Sequence, residues 1–349
     1  DFCLSRGLGD VYKRQELLRG ALGSVLEVHA TSSNYNNQVG VPLTLLATPD
    51  AADVAIIEVG TSARGEIAAL RRIVEPDVAV LTSVGEEHLE GLGDLAGVLA
   101  EECEICVDVP LAIVPAAQPE VVDAARSRAR KVVTAGLDTG DVRADRWGLS
   151  ADGLGQLQVD GASVAVPLRG AHNLANVMLA FAVSRACGIP AATAAAGIGA
   201  MPAPPMRAAW QRIGRATLIN DAYNANPASA RAALDLLASI GTQRQRVAVL
   251  GTMRELGAAS PSLHDEIARR ALASSSDVLA GLGEFAAALQ RVGHGDPRVV
   301  TAPDIDELWP RLRDRLVPDT VILLKASRGV RLERIVPLLT EWAQSNGST

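Results

Sequence analysis

An α/β fold built on parallel sheets is predicted for this chain, and three observations predict it. Short apolar runs alternate with amphipathic helical patterns along most of its length. The runs, such as Val54–Ile57 and Val321–Leu324, are apolar without polar interruption, as strands covered on both faces are. A proline-rich joint at Pro202–Pro205 then separates two such alternating stretches. The joint places a boundary near 200–207 between two α/β domains.

The elements follow in order. The first fifteen residues, DFCLSRGLGDVYKRQ, show no clear apolar period and fit nothing downstream. They are expected to be a non-native or disordered head, with helix beginning near Glu16. Val54–Ile57 reads as a strand and residues 65–74 as a helix. Val78–Leu81 is a second strand, followed by a helix from about 94 to 107. Ala112–Val114 and Val132–Thr134 are short strands. Residues 156–166 alternate like an antiparallel hairpin, and His172–Cys187 is helical. Beyond the joint, Thr217–Ile219, Val247–Leu250, Val278–Ala280 and Val321–Leu324 read as strands with helices between them. No internal repeat is visible.

Composition narrows the function. The 349 residues are 48% apolar, enough for a packed core and against global disorder. A net charge of −7, 3% aromatic residues and no basic run argue against nucleic-acid binding. Four cysteines in a chain this size are no disulfide framework, so a reducing, cytoplasmic location is expected. The longest uncharged stretch, 186–206, carries four prolines and reads as a short helix with a linker, not a membrane span. Only three lysines occur, Lys13, Lys131 and Lys325, which leaves few candidates for a phosphate clamp.

Ligands of open α/β sheets sit beyond the carboxyl ends of the strands. Five strand candidates are followed there by polar groups: Glu58 in EVGTSARGEI, His88 in TSVGEEHLEGLG, Asp221, Tyr223, Asn224 and Asn226 in NDAYNANP, the segment GTMRELG, and Lys325, Ser327 and Arg328 in KASRG. Together they favour an active cleft between the domains. Glu102 falls on an apolar helical stripe with Leu95, Val98, Leu99, Ile105 and Cys106, whereas Glu101 points away. A carboxylate on a buried face needs a cation or a donor, and Glu58 and His88 could meet it around Mg²⁺. The alternative is a slightly turned helix with Glu102 solvated. Asn224 and Asn226 equally suit a turn and a helix cap. Cys103 and Cys106 form a lone C-x-x-C late in a helix, a poor metal or redox site. No G-x-x-x-x-G-K-[ST] occurs.

The segments SSNYNNQVGVPLTLL, EVGTSARGEI, EEHLEGLG, GAHNLAN, NDAYNANPASARAALDLL, VAVLGTMRELG…LHDEI and VILLKASRG resemble, in order, those of the Mur ligase family. The likeness runs from about residue 16 to the C-terminus and is strongest to the D-alanyl-D-alanine-adding branch. It implies a central ATPase-type domain with a parallel or mixed sheet (16–203) and a Rossmann-like C-terminal α/β domain (204–349). It further implies a cytoplasmic, monomeric ligase using ATP and Mg²⁺ to join D-alanyl-D-alanine to UDP-N-acetylmuramoyl-tripeptide through an acyl phosphate. By motif, Glu58 and His88 resemble magnesium ligands. Asn36 and Asn37 lie near the nucleotide-sugar substrate, and Asn173 and Asn176 on the adenine and ribose side. Arg207 and Asp221 close the C-terminal domain on ATP. Tyr223, Asn224, Asn226, Lys325, Ser327 and Arg328 help form the closed site.

Two departures qualify the resemblance. The family's TGSSGKTTTK loop is expected immediately before Glu16, where GDVYKRQ stands, and the family's carbamylated lysine aligns with Glu102. A glutamate there supplies a carboxylate without CO₂, so Glu58, His88 and Glu102 are the expected metal ligands, with His88, Glu102, Arg207 and Lys325 in catalysis. The missing loop makes an N-terminally truncated copy with little or no ligation the expectation. The alternatives are a sister Mur or folylpolyglutamate-synthase-like ligase, or a non-catalytic nucleotide-sugar-binding paralogue. A dinucleotide dehydrogenase is disfavoured because VAVLGTMRELG lacks the G-x-G-x-x-G spacing.

Overall fold

A computed structural model describes residues 2–5, 11–32, 34–202, 206, 208–240 and 243–346. The chain divides into two compact units, with the main break between Pro202 and Ala203.

The first unit is built on seven strands: β1 (Phe2–Ser5), β2 (Val28–Ala30), β3 (Val54–Val59), β4 (Val78–Val80), β5 (Leu111–Pro115), β6 (Val132–Gly136) and β7 (Val142–Arg143). They pair in the order β2-β3-β1-β4-β5-β6-β7, all parallel. Every residue of β3 and β4 is buried, as expected for unbroken apolar runs. Val54 and Ile56 face a core shared with Leu17, Leu18, Ala21 and Leu22 of the helix Val11–Leu22 and with the helices Ala171–Ala186 and Ala191–Gly199. Each such fully buried Leu is worth roughly 1.5–3 kcal/mol. The helices Glu66–Val74 and Pro119–Arg126 bury Ile67, Leu70, Val121 and Ala125, which lie outside that core.

Two described segments of the first fifteen residues, expected to be a non-native or disordered head, lie in regular elements. Phe2–Ser5 pairs in parallel with both β3 and β4, and the first helix begins at Val11, not near Glu16. The physical reason is a slot one strand wide, whose backbone donors and acceptors on both sides take any extended segment.

The expected hairpin is part of a three-stranded antiparallel sheet: β8 (Arg146–Leu149), β9 (Leu154–Val159) and β10 (Ala162–Arg169), in the order β10-β9-β8. Asp160 and Gly161 join β9 to β10 with φ of 49° and 77°. Two left-handed residues make the turn whose twist suits a two-residue hairpin, and Asp-Gly is a preferred pair for it.

The second unit holds β11 (Ala209–Ile213), β12 (Ala216–Asp221), β13 (Gln245–Leu250), β14 (Val278–Leu282), β15 (Val299–Ala302) and β16 (Thr320–Lys325). Their order is β11-β12-β16-β13-β14-β15, parallel except for β11 at the edge. Period-two alternation assigns the faces. Val247, Val249, Ile322 and Leu324 join the core formed with the helices Ile305–Arg313 and Ile335–Ser345. The intervening Ala248, Leu250, Val321 and Leu323 point to the opposite face, where the helices Pro227–Ser239, Ser260–Ala273 and Glu284–Val292 pack together. The neighbours β13 and β16 therefore send their chains to opposite faces. That reversal opens a crevice at their carboxyl ends.

Candidate functional site

The crevice in the second unit gathers residues from three neighbouring strand ends. Asp221 and Lys325 are register partners at the ends of β12 and β16, so both side chains leave the same face. The Lys325 ammonium donates to Asp221 Oδ2 at 2.7 Å and to the carbonyl of Asn224 at 2.8 Å, and its side chain is 4% exposed. Asp221 Oδ1 accepts from the Ala208 N–H at 2.9 Å. Ser327 is buried and joins two loops: its Oγ donates to the Ala225 carbonyl at 3.2 Å and accepts from the Arg254 N–H at 2.9 Å. Asn226 caps the helix Pro227–Ser239 in a reciprocal box, its Oδ1 accepting from Ser229 N–H at 2.8 Å and its own N–H donating to Ser229 Oγ at 3.1 Å.

These contacts give three of the expected site residues a part in the fold. Lys325, Ser327 and Asn226 spend polar groups on building the strand-end loops, because each is too buried to leave them unmatched. The groups presented outward are Tyr223 and Arg328. Tyr223 is 39% exposed, and the Arg328 guanidinium stands 6.0 Å from its ring centroid while donating to Glu333 Oε1 at 3.0 Å. Arg207 lies outside the described residues.

In the first unit, Glu58 is the last but one residue of β3, in phase with Val54 and Ile56 and facing the helix that carries Gln15. Two side-chain amides clamp its buried carboxylate. Gln15 Nε2 donates to Oε2 at 2.9 Å, and Asn36 Nδ2 donates to Oε1. Thr31 Oγ1 accepts the Glu58 N–H at 2.8 Å, and the Asn36 carbonyl accepts the Gly60 N–H at 2.8 Å. Asn36 thus orients Glu58. The neighbouring Asn37 Oδ1 accepts from Val39 and Gly40 at 3.1 and 2.9 Å, starting the helix Gly40–Leu46. Both asparagines, expected in the segment that approaches the nucleotide-sugar substrate, also act within the fold.

The helix Leu95–Glu102 continues as a 3₁₀ turn, Cys103–Cys106. Glu102 is 1% exposed, as its spacing predicts. Glu101 does not point away: it is buried, and its carboxylate accepts from Gly65 N–H at 2.7 Å and Ile67 N–H at 2.9 Å. Those donors are orphans at the start of the helix Glu66–Val74, where a negative charge is also favoured by the helix dipole. Leu95, expected on the buried stripe, is exposed. His88 is buried in the left-handed region (φ 54°) at the start of the helix Leu89–Leu92.

Among the described residues no group of three or more His, Cys, Asp or Glu is placed to hold a metal ion. Glu58, His88 and Glu102 are each buried. Glu58 faces the Val11–Leu22 side of the sheet, whereas the helix bearing Glu102 packs against Glu66–Val74.

The lone C-x-x-C is structural. Burial pushes the Cys103 thiol up to about 12 and raises Cys106 further, and both cysteines are free. At pH about 8 Cys103 carries on the order of 10³ less thiolate than an ordinary cysteine. In the native chain both should resist iodoacetamide and label only after unfolding. Equal labelling of folded and unfolded protein, read by mass spectrometry, would contradict this.

Asn173 opens the helix Ala171–Ala186 with no exposed surface. Its Nδ2 donates to the Arg169 carbonyl at 2.6 Å, and its Oδ1 is a buried acceptor without a hydrogen-bond partner. An unsatisfied buried oxygen costs about 1–3 kcal/mol, so it marks a place where a ligand donor would be welcome. Asn176, one turn along, is half-buried.

Sequence reasoning missed Gln15, Glu101 and His264. Only His264 left a signal: positions 264, 267, 268 and 271 share one helical face, and all four are buried.

Comparison with known proteins follows both units. A family described as the Mur ligase middle domain matches residues 10–184, and the Mur ligase glutamate ligase domain matches residues 206–328. The chain is 32% identical over 335 residues to the UDP-N-acetylmuramoyl-tripeptide–D-alanyl-D-alanine ligase of Bacillus subtilis, covering 94% of this chain and 73% of that protein. It superposes on a crystal structure of MurF from Acinetobacter baumannii with a TM-score of 0.88 at 27% identity, covering 97% of this chain and 76% of that one. The MurF ligase of Thermotoga maritima in complex with ADP shares the fold, with a TM-score of 0.85 at 22% identity and coverage of 99% and 80%.

Proposed function

The chain belongs to the Mur ligase family, and from that premise we propose that its reaction is the ATP-dependent joining of D-alanyl-D-alanine to UDP-N-acetylmuramoyl-tripeptide, with little or no turnover by this chain, in which GDVYKRQ stands where the family's phosphate loop is expected. The single observation that carries the reading is that likeness to a ligase of this printed activity runs through both units, over 94% of the chain. The chemistry it implies is balanced. The tripeptide carboxylate takes the terminal phosphoryl group of ATP and releases ADP. The amine of D-alanyl-D-alanine then attacks the acyl phosphate, loses a proton, and expels inorganic phosphate as the amide forms. Mg²⁺, entering with ATP, supplies charge neutralisation at the phosphoryl oxygens.

The chain's own residues suit defined parts of this task. The Asn173 Oδ1 acceptor matches the exocyclic amino group of adenine, with Asn176 beside it on the helix. Arg328 offers a solvent-facing cation for the carboxylate of D-alanyl-D-alanine, against the ring of Tyr223. Lys325 and Asp221 are positioning residues, holding Asn224 and the loops around it. Glu58, oriented by Gln15 and Asn36, is the carboxylate best prepared to meet the cation that accompanies the nucleotide. A monomer in the cytoplasm, where nucleotide-linked precursors and ATP occur together, completes the proposal. No helix among the described residues is long and apolar enough to cross a membrane.

Ligand-dependent stabilisation tests the reading without relying on turnover. A ligand present at 100 times its Kd adds about 2.7 kcal/mol to the folded state. ADP, UDP-N-acetylmuramoyl-tripeptide and D-alanyl-D-alanine should each raise the melting temperature. Stabilisation by a folate and glutamate instead would overturn the substrate assignment, and stabilisation by the nucleotide-sugar but not ADP would favour a non-catalytic binder. Phosphate release that needs both the tripeptide and D-alanyl-D-alanine would establish the ligation itself. In the same titrations Asn173→Ala should weaken ADP binding about tenfold, the value of one modest hydrogen bond. An unchanged Kd would remove Asn173 from the adenine site.

A further inference from the structure

His264 lies on the helix Ser260–Ala273 with no exposed surface, its ring set edge-on to Phe285 at 4.8 Å between centroids. The Met253 N–H donates to its Nε2 at 2.9 Å, so Nε2 carries a lone pair. The proton of the neutral ring is then on Nδ1, which donates to the Ser260 carbonyl at 2.8 Å. Ser260 Oγ stands 3.1 Å from Nδ1 and donates to Glu284, which resembles a nucleophile–base–acid arrangement. The tautomer excludes that chemistry, because a protonated Nδ1 cannot take the hydroxyl proton.

The bond to Met253 matters because of where Met253 sits. Residues 251–256 follow β13 and form one wall of the crevice. Ser327 fixes the next amide, Arg254, and donates its own N–H to the Thr252 carbonyl at 3.1 Å. Thr252 Oγ1 accepts the Glu284 N–H at 3.0 Å, over Gly283, where φ is +58° and a Cβ would meet that hydroxyl at 2.4 Å. The loop is thus pinned on one side by Ser327, beside Lys325 and Arg328, and on the other by His264.

We propose that His264 is a positioning residue: its neutral form latches the 251–256 loop against the β16 loop, and its protonation releases that loop. An imidazolium would turn an N–H toward the Met253 N–H, so acceptor and bond are lost together. The direction of titration agrees. Burial lowers the His264 pKa, opposed by the Ser260 carbonyl and Glu284, with Arg291 lowering it and Asp265 raising it. Glu284 Oε2 is 3.6 Å from Nδ1, and Arg291 is itself paired with Asp265 at 2.6 Å. Between the folded value and the unfolded one near 6.5, the unfolded chain binds more protons. The latch is therefore complete above about pH 6.5 and weakens as pH falls toward the lower folded value.

The effect on ligands rests on the ligase reading; the latch does not. Hydrogen exchange of the whole chain, corrected for intrinsic rates, tests it. Protection of the Met253 amide should be constant from about pH 8 to about 6.5 and then fall as pH drops through the lowered His264 value, while Val249 in β13 holds within about twofold for as long as the chain stays folded. His264→Gln keeps a neutral acceptor, so its Met253 protection should not follow pH. A pH-independent Met253 amide in the unsubstituted chain, or the same fall in His264→Gln, overturns the proposal. Affinity for D-alanyl-D-alanine should decline over the same range in the unsubstituted chain only. A latch that titrates in a chain binding no D-alanyl-D-alanine at any pH supports the latch and overturns the ligase reading. Binding that ignores a titrating latch overturns the positioning role.

Discussion

Lys325→Met should destabilise the second unit by about 3–5 kcal/mol, the range found when one partner of a buried ion pair is removed. The ammonium satisfies both a carboxylate whose side chain is 13% exposed and the Asn224 carbonyl. Methionine fills the space and leaves both acceptors desolvated. Among the described residues, Asp221 then keeps the Ala208 N–H alone. The paired substitution Lys325→Met with Asp221→Leu removes the uncompensated charge and should recover most of the loss, since apolar replacement of a whole buried pair is often near neutral. Urea unfolding of the three proteins measures this. If Lys325→Met unfolds within about 1 kcal/mol of the parent, the pair is not what holds β12 to the β16 loop. Stabilisation by D-alanyl-D-alanine should vanish in both variants, because Asn224 and the Arg328 loop are no longer held.

The second large effect is at Glu58. Its two oxygens each accept from a side-chain amide, so both positions call for an acceptor. Glu58→Gln puts an NH₂ where an acceptor is required. One of Gln15 or Asn36 then faces a donor, at a cost of about 1–3 kcal/mol in a buried position. Adding Asn36→Asp restores an acceptor opposite the new NH₂, and a double-mutant cycle should show coupling of about 1–2 kcal/mol. Additive losses would mean that Asn36 and Glu58 do not depend on each other. If the carboxylate also meets the cation brought by the nucleotide, Glu58→Gln should weaken Mg²⁺-dependent ATP binding, whereas the compensating variant restores stability without restoring a charge at position 58.

Both cases mark the limit of what the one-dimensional pattern carries. The spacing of apolar residues places Glu58, Lys325 and Asp221 at strand ends, and the structure has them there. It also places Glu102 on a buried face, correctly. It misplaces Glu101, one position along, because a buried carboxylate can be satisfied by amides of another helix 34 to 36 residues away. No periodicity records such a partner. Asn226 reads equally well as ligand or cap until Ser229 is seen to answer it from both sides.

The sequence by itself determined the α/β class, the two-part organisation and the set of polar residues that end the strands. Each of these follows from local period: unbroken apolar runs for covered strands, a 3.6-residue stripe for helices, and a proline cluster where neither continues. Only the tertiary structure decided which of those polar atoms meet. Strand order brings β16 back between β12 and β13, so residues 104 positions apart share one hydrogen bond. The same order opens the slot that Phe2–Ser5 fills. Hydrogen bonds act over about 3 Å, and chain distance says nothing about which donors the folded sheet brings within that reach.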